Sequence, residues 1–119
     1  MSRTILFVCE HGAFRSRIAA AYFNATAPAG WHAVSAGRDP QLIPSGRLGP
    51  LLAGTAAADH LESDAPRRAG DVTADRVIAI DCALSGAEQW MTNAESDEAL
   101  RDELAARVNL LTRELGVTG

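Results

Sequence analysis

The chain of 119 residues contains no lysine; all eleven of its basic residues are arginine. Schiff-base chemistry and a lysine general base are thereby excluded within it. Cysteine is nearly as scarce: Cys9 and Cys82 are too few for a disulfide framework or for a structural zinc site built on thiolates. Aromatic residues make up 5% of the sequence, with Tyr22 the single tyrosine, so core packing competes with any binding role for each of them. No apolar run approaches membrane-spanning length and no signal-like segment opens the chain, so the expectation is no membrane partner and a cytoplasmic location. Basic charge is outnumbered too, 11 Lys and Arg against 15 Asp and Glu, for a net charge of -4 and a pI near 5.2. That balance argues against nucleic acid as a partner. What is present, 47% hydrophobic and 22% charged residues, fits one domain spanning residues 1–119 around a single core.

Thr4-Ile5-Leu6-Phe7-Val8 is a short apolar run of large and β-branched residues, which reads as a strand buried on both faces of a parallel sheet. Cys9 ends it. Residues 16–23 favour helix, residues 31–36 alternate as a second strand closed by Gly37, and residues 76–80 make a third strand with Asp81 at its end. Residues 44–61 read as mostly helical around Leu48, Leu51 and Leu52, although Gly46, Gly49, Pro50 and Gly54 oppose this. Residues 62–75 form a polar connection, residues 83–88 a short helix, and residues 89–92 an edge strand. A last helix starts after the N-cap Ser96, keeps Leu100, Leu104, Val108, Leu111 and Leu115 on one face, and stops at Gly116. Strands alternating with helices predict an α/β fold in which a parallel sheet carries helices on both faces. Ligands of such folds bind beyond the carboxyl ends of the strands, where Cys9 and Asp81 both fall.

Residues 9–16 read Cys-Glu-His-Gly-Ala-Phe-Arg-Ser. A cysteine after a buried strand and an arginine six positions later, at a helix start, describe a nucleophile set in an oxyanion site. Loop amides, the helix N-terminus and the Arg15 charge all favour a thiolate and would hold anionic oxygens. The planar fork of Arg15 suits two oxygens of a tetrahedral anion. Ser16 can donate a hydrogen bond to the Cys9 sulfur, and Gly12 supplies a left-handed backbone without steric cost. Glu10, His11, Ala13 and Phe14 complete the oxyanion-binding loop. Taken singly, Cys9 would be a buried hydrophobe and Arg15 a solvated residue; the joint pattern favours the site.

The pattern resembles the low-molecular-weight protein tyrosine phosphatases and the arsenate reductases that share their fold, marked by C-x5-R-[S/T] near the N-terminus. Val34-Ser35-Ala36-Gly37, Val77-Ile78-Ala79-Ile80-Asp81 and the closing helix extend the likeness over nearly the whole chain. The resemblance implies a single domain with a four-stranded parallel sheet and the anion loop after the first strand. It implies Cys9 as nucleophile, Arg15 as oxyanion ligand and a later aspartate as general acid. Phosphate, sulfate or arsenate is the implied ligand, and a phosphotyrosine protein or an external thiol reductant the implied partner.

Three departures bear on the reaction. The Asp-Pro pair that such phosphatases carry before the last helix is absent; residues 90–97 read Trp-Met-Thr-Asn-Ala-Glu-Ser-Asp. Glu95 and Asp97 are the candidate replacements, set against the ordinary role of both as solvated carboxylates at a helix start. His11 matches the Cys-x-His-Asn loop of some arsenate reductases. Cys82 is the one other thiol, a candidate resolving cysteine if it reaches Cys9 and an inert buried residue if it does not. His32 and His60 have no ligand-like spacing, so neither a metal nor another cofactor is expected. The leading expectation is a phosphatase working through a phosphocysteine. The alternatives are arsenate reduction with an external thiol, and an oxyanion-binding module that has lost its acid.

Overall fold

The computed structural model describes residues 2–118. Strands β1 (Arg3–Cys9), β2 (Trp31–Gly37), β3 (Arg76–Ile80) and β4 (Glu88–Trp90) form one parallel sheet in the order β2-β1-β3-β4. Helices α1 (Arg15–Ala25), α2 (Leu48–Leu52) and α3 (Asp97–Thr118) accompany it. The chain leaves β1 for β2 on one side and later returns to β3 on the other. The carboxyl end of β1 is therefore a topological switch point, the place where such sheets open a crevice for ligand.

Strand alternation divides the core. Ile5 and Phe7 face one side together with Ile78 and Ile80, and Leu6 and Val8 face the other. All three α-helices pack on the first side: Ile18 and Phe23 from α1, Leu48 and Leu52 from α2, Leu104 and Val108 from α3. Phe7 stands at the centre, with its ring 6.2 Å from Phe23 and 5.6 Å from Trp90. On the reverse side Leu6, Val8, Ala36, Ala79 and Cys82 make a smaller cluster under Val72, Leu84 and the 3-10 turn Ala69–Asp71. Helical cover is thus unequal, three α-helices against one short turn among the described residues. No helix is long and apolar enough to cross a membrane among the described residues.

The first three strands and both long helices lie where the sequence predicts them, and Ser96 caps α3 by accepting the Ala99 N–H at 3.1 Å. Elsewhere the structure differs. Only α2 and the 3-10 turn Ala58–His60 are helical between residues 44 and 61, because the chain leaves the helix at Ala53, with ψ 134°, and turns at Gly54, with φ +80°. Residues 83–88 form a turn around Gly86, at φ +81°, and the fourth strand starts one residue early at Glu88. Helix α3 runs through Gly116, which has no left-handed φ and therefore makes no C-cap there.

Candidate active site

Five residues separate Cys9, at the end of β1, from Arg15, the first residue of α1. Their backbone is fixed through its carbonyls. Those of Cys9, Glu10, His11 and Ala13 accept N–H groups of Arg38 (3.1 Å), Asp39 (2.8 Å), Gln41 (3.0 Å) and Ser45 (2.9 Å). The Gly12 carbonyl accepts Arg17 Nε at 2.9 Å. With every carbonyl of residues 9–13 held by a protein donor, no protein acceptor among the described residues takes the N–H groups of residues 11–15. Unpaired amides in succession at a helix N-terminus are the setting in which an oxyanion binds.

Two glycines make this loop possible. Gly12 has φ +63°, and a Cβ there would sit 2.7 Å from the Gly37 nitrogen; one on Gly37 would sit 2.6 Å from the Gly12 nitrogen. The end of β2 and the loop therefore touch backbone to backbone, and either side chain would separate them. The sequence supplied a reason for Gly12. Gly37 read as a strand end, and its pairing with Gly12 across 25 residues left no sequence signal.

Arg17 was also missed. It is 1% exposed on α1, and besides Gly12 its guanidinium donates to the carbonyls of Glu62 (3.0 Å) and Asp64 (2.6 Å). Burial lowers its pKa, a loss opposed by the charge of Glu62. Arg67 in turn binds the Glu62 carboxylate at 2.8 Å and the Ser35 carbonyl at 3.0 Å, while the Ser35 hydroxyl donates to Glu62 at 2.7 Å. This network ties the loop, α1, β2 and the 62–67 segment together. An arginine in an otherwise apolar helix stretch, with Glu62, Asp64 and Arg67 in the later connection, was the available signal.

Cys9 is 5% exposed. The Ser16 N–H points to its sulfur at 3.4 Å and the Ser16 hydroxyl lies 3.2 Å away. Cys9, Glu10, His11, Ala13, Phe14 and Arg15 all line one cleft of about 380 Å³, whose other walls include Ile43, Arg47 and Asp81. Gly12 and Ser16 are buried and are not part of its lining. Arg15 Nε is 3.1 Å from Asp81 Oδ2. Asp81 itself adopts φ +53°, a strained conformation for a residue with a side chain. Its Oδ1 accepts the Thr92 N–H at 2.7 Å and its Oδ2 accepts the Thr92 hydroxyl. Thr92, two residues beyond β4, thus aims Asp81, and Asp81 faces Arg15. Glu10 turns to Arg38 at 3.2 Å with both side chains in solvent.

The remaining candidates lie elsewhere. Glu95 is exposed and does not line the cleft. Asp97 sits at the rim, where both its oxygens accept from Arg47 at 2.7 and 2.8 Å; Arg47 itself lies 4.1 Å over the Phe14 ring. Cys82 belongs to the reverse-face cluster, with its thiol 3.7 Å from the Val8 carbonyl. Burial raises the Cys82 pKa, and the nearby Cys9 raises it further. Trp90 packs in the core and His32 lies between Ser2 and Thr4. Among the described residues no cluster of His, Cys, Asp or Glu could hold a metal ion.

A parallel sheet with a cysteine-arginine anion loop at its switch point is an α/β fold with known relatives. Comparison at the level of sequence yields no match, either among family models or among curated proteins. Comparison of folds does: the structural neighbours are low-molecular-weight protein tyrosine phosphatases and arsenate reductases. A thioredoxin-dependent arsenate reductase of Corynebacterium glutamicum aligns over 99% of this chain with a TM-score of 0.75 at 19% identity, this chain spanning 64% of that one. An arsenate reductase of Archaeoglobus fulgidus aligns over 94% of this chain and 98% of its own, with a TM-score of 0.64 at 25% identity. A low-molecular-weight protein tyrosine phosphatase of T. tengcongensis aligns over 95% of this chain and 99% of its own, with a TM-score of 0.70 at 21% identity.

Proposed function

We propose that the protein is a cysteine-dependent phosphatase that hydrolyses a phosphoester, such as that of a phosphotyrosine protein, through a phosphocysteine. The Cys9 thiolate attacks phosphorus, the S–P bond forms and the ester P–O bond breaks, while Arg15 and the amides of residues 11–15 hold the non-bridging oxygens. Water then cleaves the S–P bond and phosphate leaves. The observation that supports this reading is the carbonyl-anchored loop whose unpaired amides surround a buried thiol beside Arg15. Hydrolysis of an aryl phosphate should fall by more than about 10⁴-fold in Cys9→Ser. Equal activity of the two proteins would refute the proposal, and sulfate binding without any turnover would favour a binding module.

Arsenate reduction with an external thiol is the second reading. Its support is His11, two residues after Cys9 and lining the cleft; because Cys82 is buried on the reverse face, the reducing thiol of this reading is an external one. Thiol-dependent formation of arsenite from arsenate, with small thiols or thioredoxin as reductant, is the corresponding assay.

A further inference from the structure

The cleft presents an oxyanion site but no carboxylic acid free to protonate what leaves. Asp81 lines it, yet both oxygens already accept hydrogen bonds from Thr92, and one also faces Arg15. Glu10 is paired with Arg38 and Asp97 with Arg47, the latter through both oxygens. Glu95 does not reach the cleft lining. Each of these paired carboxylates is turned to an arginine and already engaged by it.

His11 is different. His11 is one of the residues that line the cleft, two positions from Cys9, and its Nδ1 lies 3.1 Å from the Asp39 carbonyl oxygen. A carbonyl can only accept, so Nδ1 carries the hydrogen in the neutral ring and in the imidazolium alike. The contact is available in both protonation states, and Nε2 is the nitrogen that gains or loses the proton. The Asp39 N–H is itself tied to the Glu10 carbonyl at 2.8 Å, so the ring is anchored to the loop that it serves. The ionisable side chains that share the cleft with it are Cys9, Glu10, Arg15, Arg47 and Asp81, with Arg38 on Glu10 and Asp39 from the following segment.

We propose that His11 is the general acid of the reaction, with Nε2 protonating the leaving oxygen. This rests on the phosphatase reading. As the Cys9 sulfur bonds to phosphorus and the ester P–O bond breaks, the departing oxygen takes the Nε2 proton and leaves as the alcohol. The neutral imidazole then accepts a proton from the water that attacks phosphorus, the S–P bond breaks, the thiolate returns and the imidazolium is restored. Protons and charge balance over the cycle without a further reactant.

The test is the dependence of Cys9 phosphorylation on the leaving group, followed by rapid quench and mass spectrometry for wild type, His11→Ala and His11→Gln. Glutamine keeps a side-chain amide that can donate to Asp39 but has no titratable proton, and so provides a second variant should the alanine protein fold poorly. The loss in both variants should grow from below about tenfold with p-nitrophenyl phosphate to above about 100-fold with phenyl phosphate, whose phenoxide is the more basic leaving group. A loss equal for both substrates, or none, would overturn the assignment to His11 alone. Failure of the wild type to form phosphocysteine with either substrate would instead overturn the phosphatase reading, and the assignment with it.

Discussion

Residues 9–17 and residues 91–97 lie at the same end of the sheet and are built on opposite plans. The first segment is held through its main chain: five consecutive carbonyls have protein donors, two glycines meet across the β2 end, and Arg17 closes the network from behind. The second is held by single side chains, Thr92 on Asp81 and Asp97 on Arg47, with Glu95 exposed. A cradle of amides depends on backbone shape and makes no demand on the exposed side chain of Glu10. Delivery of a proton depends on one titratable group at one place, and that place can move between segments. In this chain the carboxylates near the cleft serve as anchors for cations, and the histidine that lines the cleft, His11, belongs to the cradle segment itself.

Breaking the main-chain plan should have the largest effect. Gly12→Ala puts a side chain at φ +63° and within 2.7 Å of the Gly37 backbone. Left-handed strain of about 1–3 kcal/mol is joined there by a clash that only backbone movement relieves. Urea unfolding should register a loss of about 3 kcal/mol or more, and sulfate binding should weaken because the loop opens.

Arg17→Met removes the donor to three carbonyls at once and should cost about 3 kcal/mol in the same assay, since buried acceptors left unmade cost about 1–3 kcal/mol each and part of that is recovered by water. Asp81→Asn keeps the shape but takes the charge from beside Arg15. Turnover should drop by about 10- to 100-fold through misplacement of the guanidinium, with the change in kcat exceeding the change in KM. The smallest effect belongs to the rim. Asp97→Asn disrupts an exposed ion pair of a kind worth about 0–1 kcal/mol, so stability and turnover should shift by no more than a few-fold; a loss as large as that of Asp81→Asn would return Asp97 to the chemistry.

Most of the site was legible because its signal is local. Cys9, Gly12, Arg15 and Ser16 fall within eight residues, and their spacing relative to a strand and a helix carries the geometry. The three apolar strands and the capped α3 were legible for the same reason, periodicity within one segment. What escaped notice depends on distant partners: Gly37 against Gly12, Arg17 against Glu62 and Asp64, Asp81 against Thr92. Each of these residues has an ordinary local meaning, as a strand end, a helix arginine or a turn cap, and acquires its role when the sheet brings its partner into place. The placement of Glu95 and Asp97 outside the cleft lining follows from the same cause, since Arg47 comes from a loop fifty residues upstream of Asp97.

The central claim is that the amide cradle presents phosphorus to Cys9. Rapid quench of the wild-type protein with p-nitrophenyl phosphate, followed by peptide mapping, tests it most directly. A phosphoryl group on the peptide containing Cys9, formed and lost at the rate of turnover and absent from Cys9→Ser, is the predicted result. Turnover that proceeds with no phosphoryl group on Cys9 at any time would contradict it.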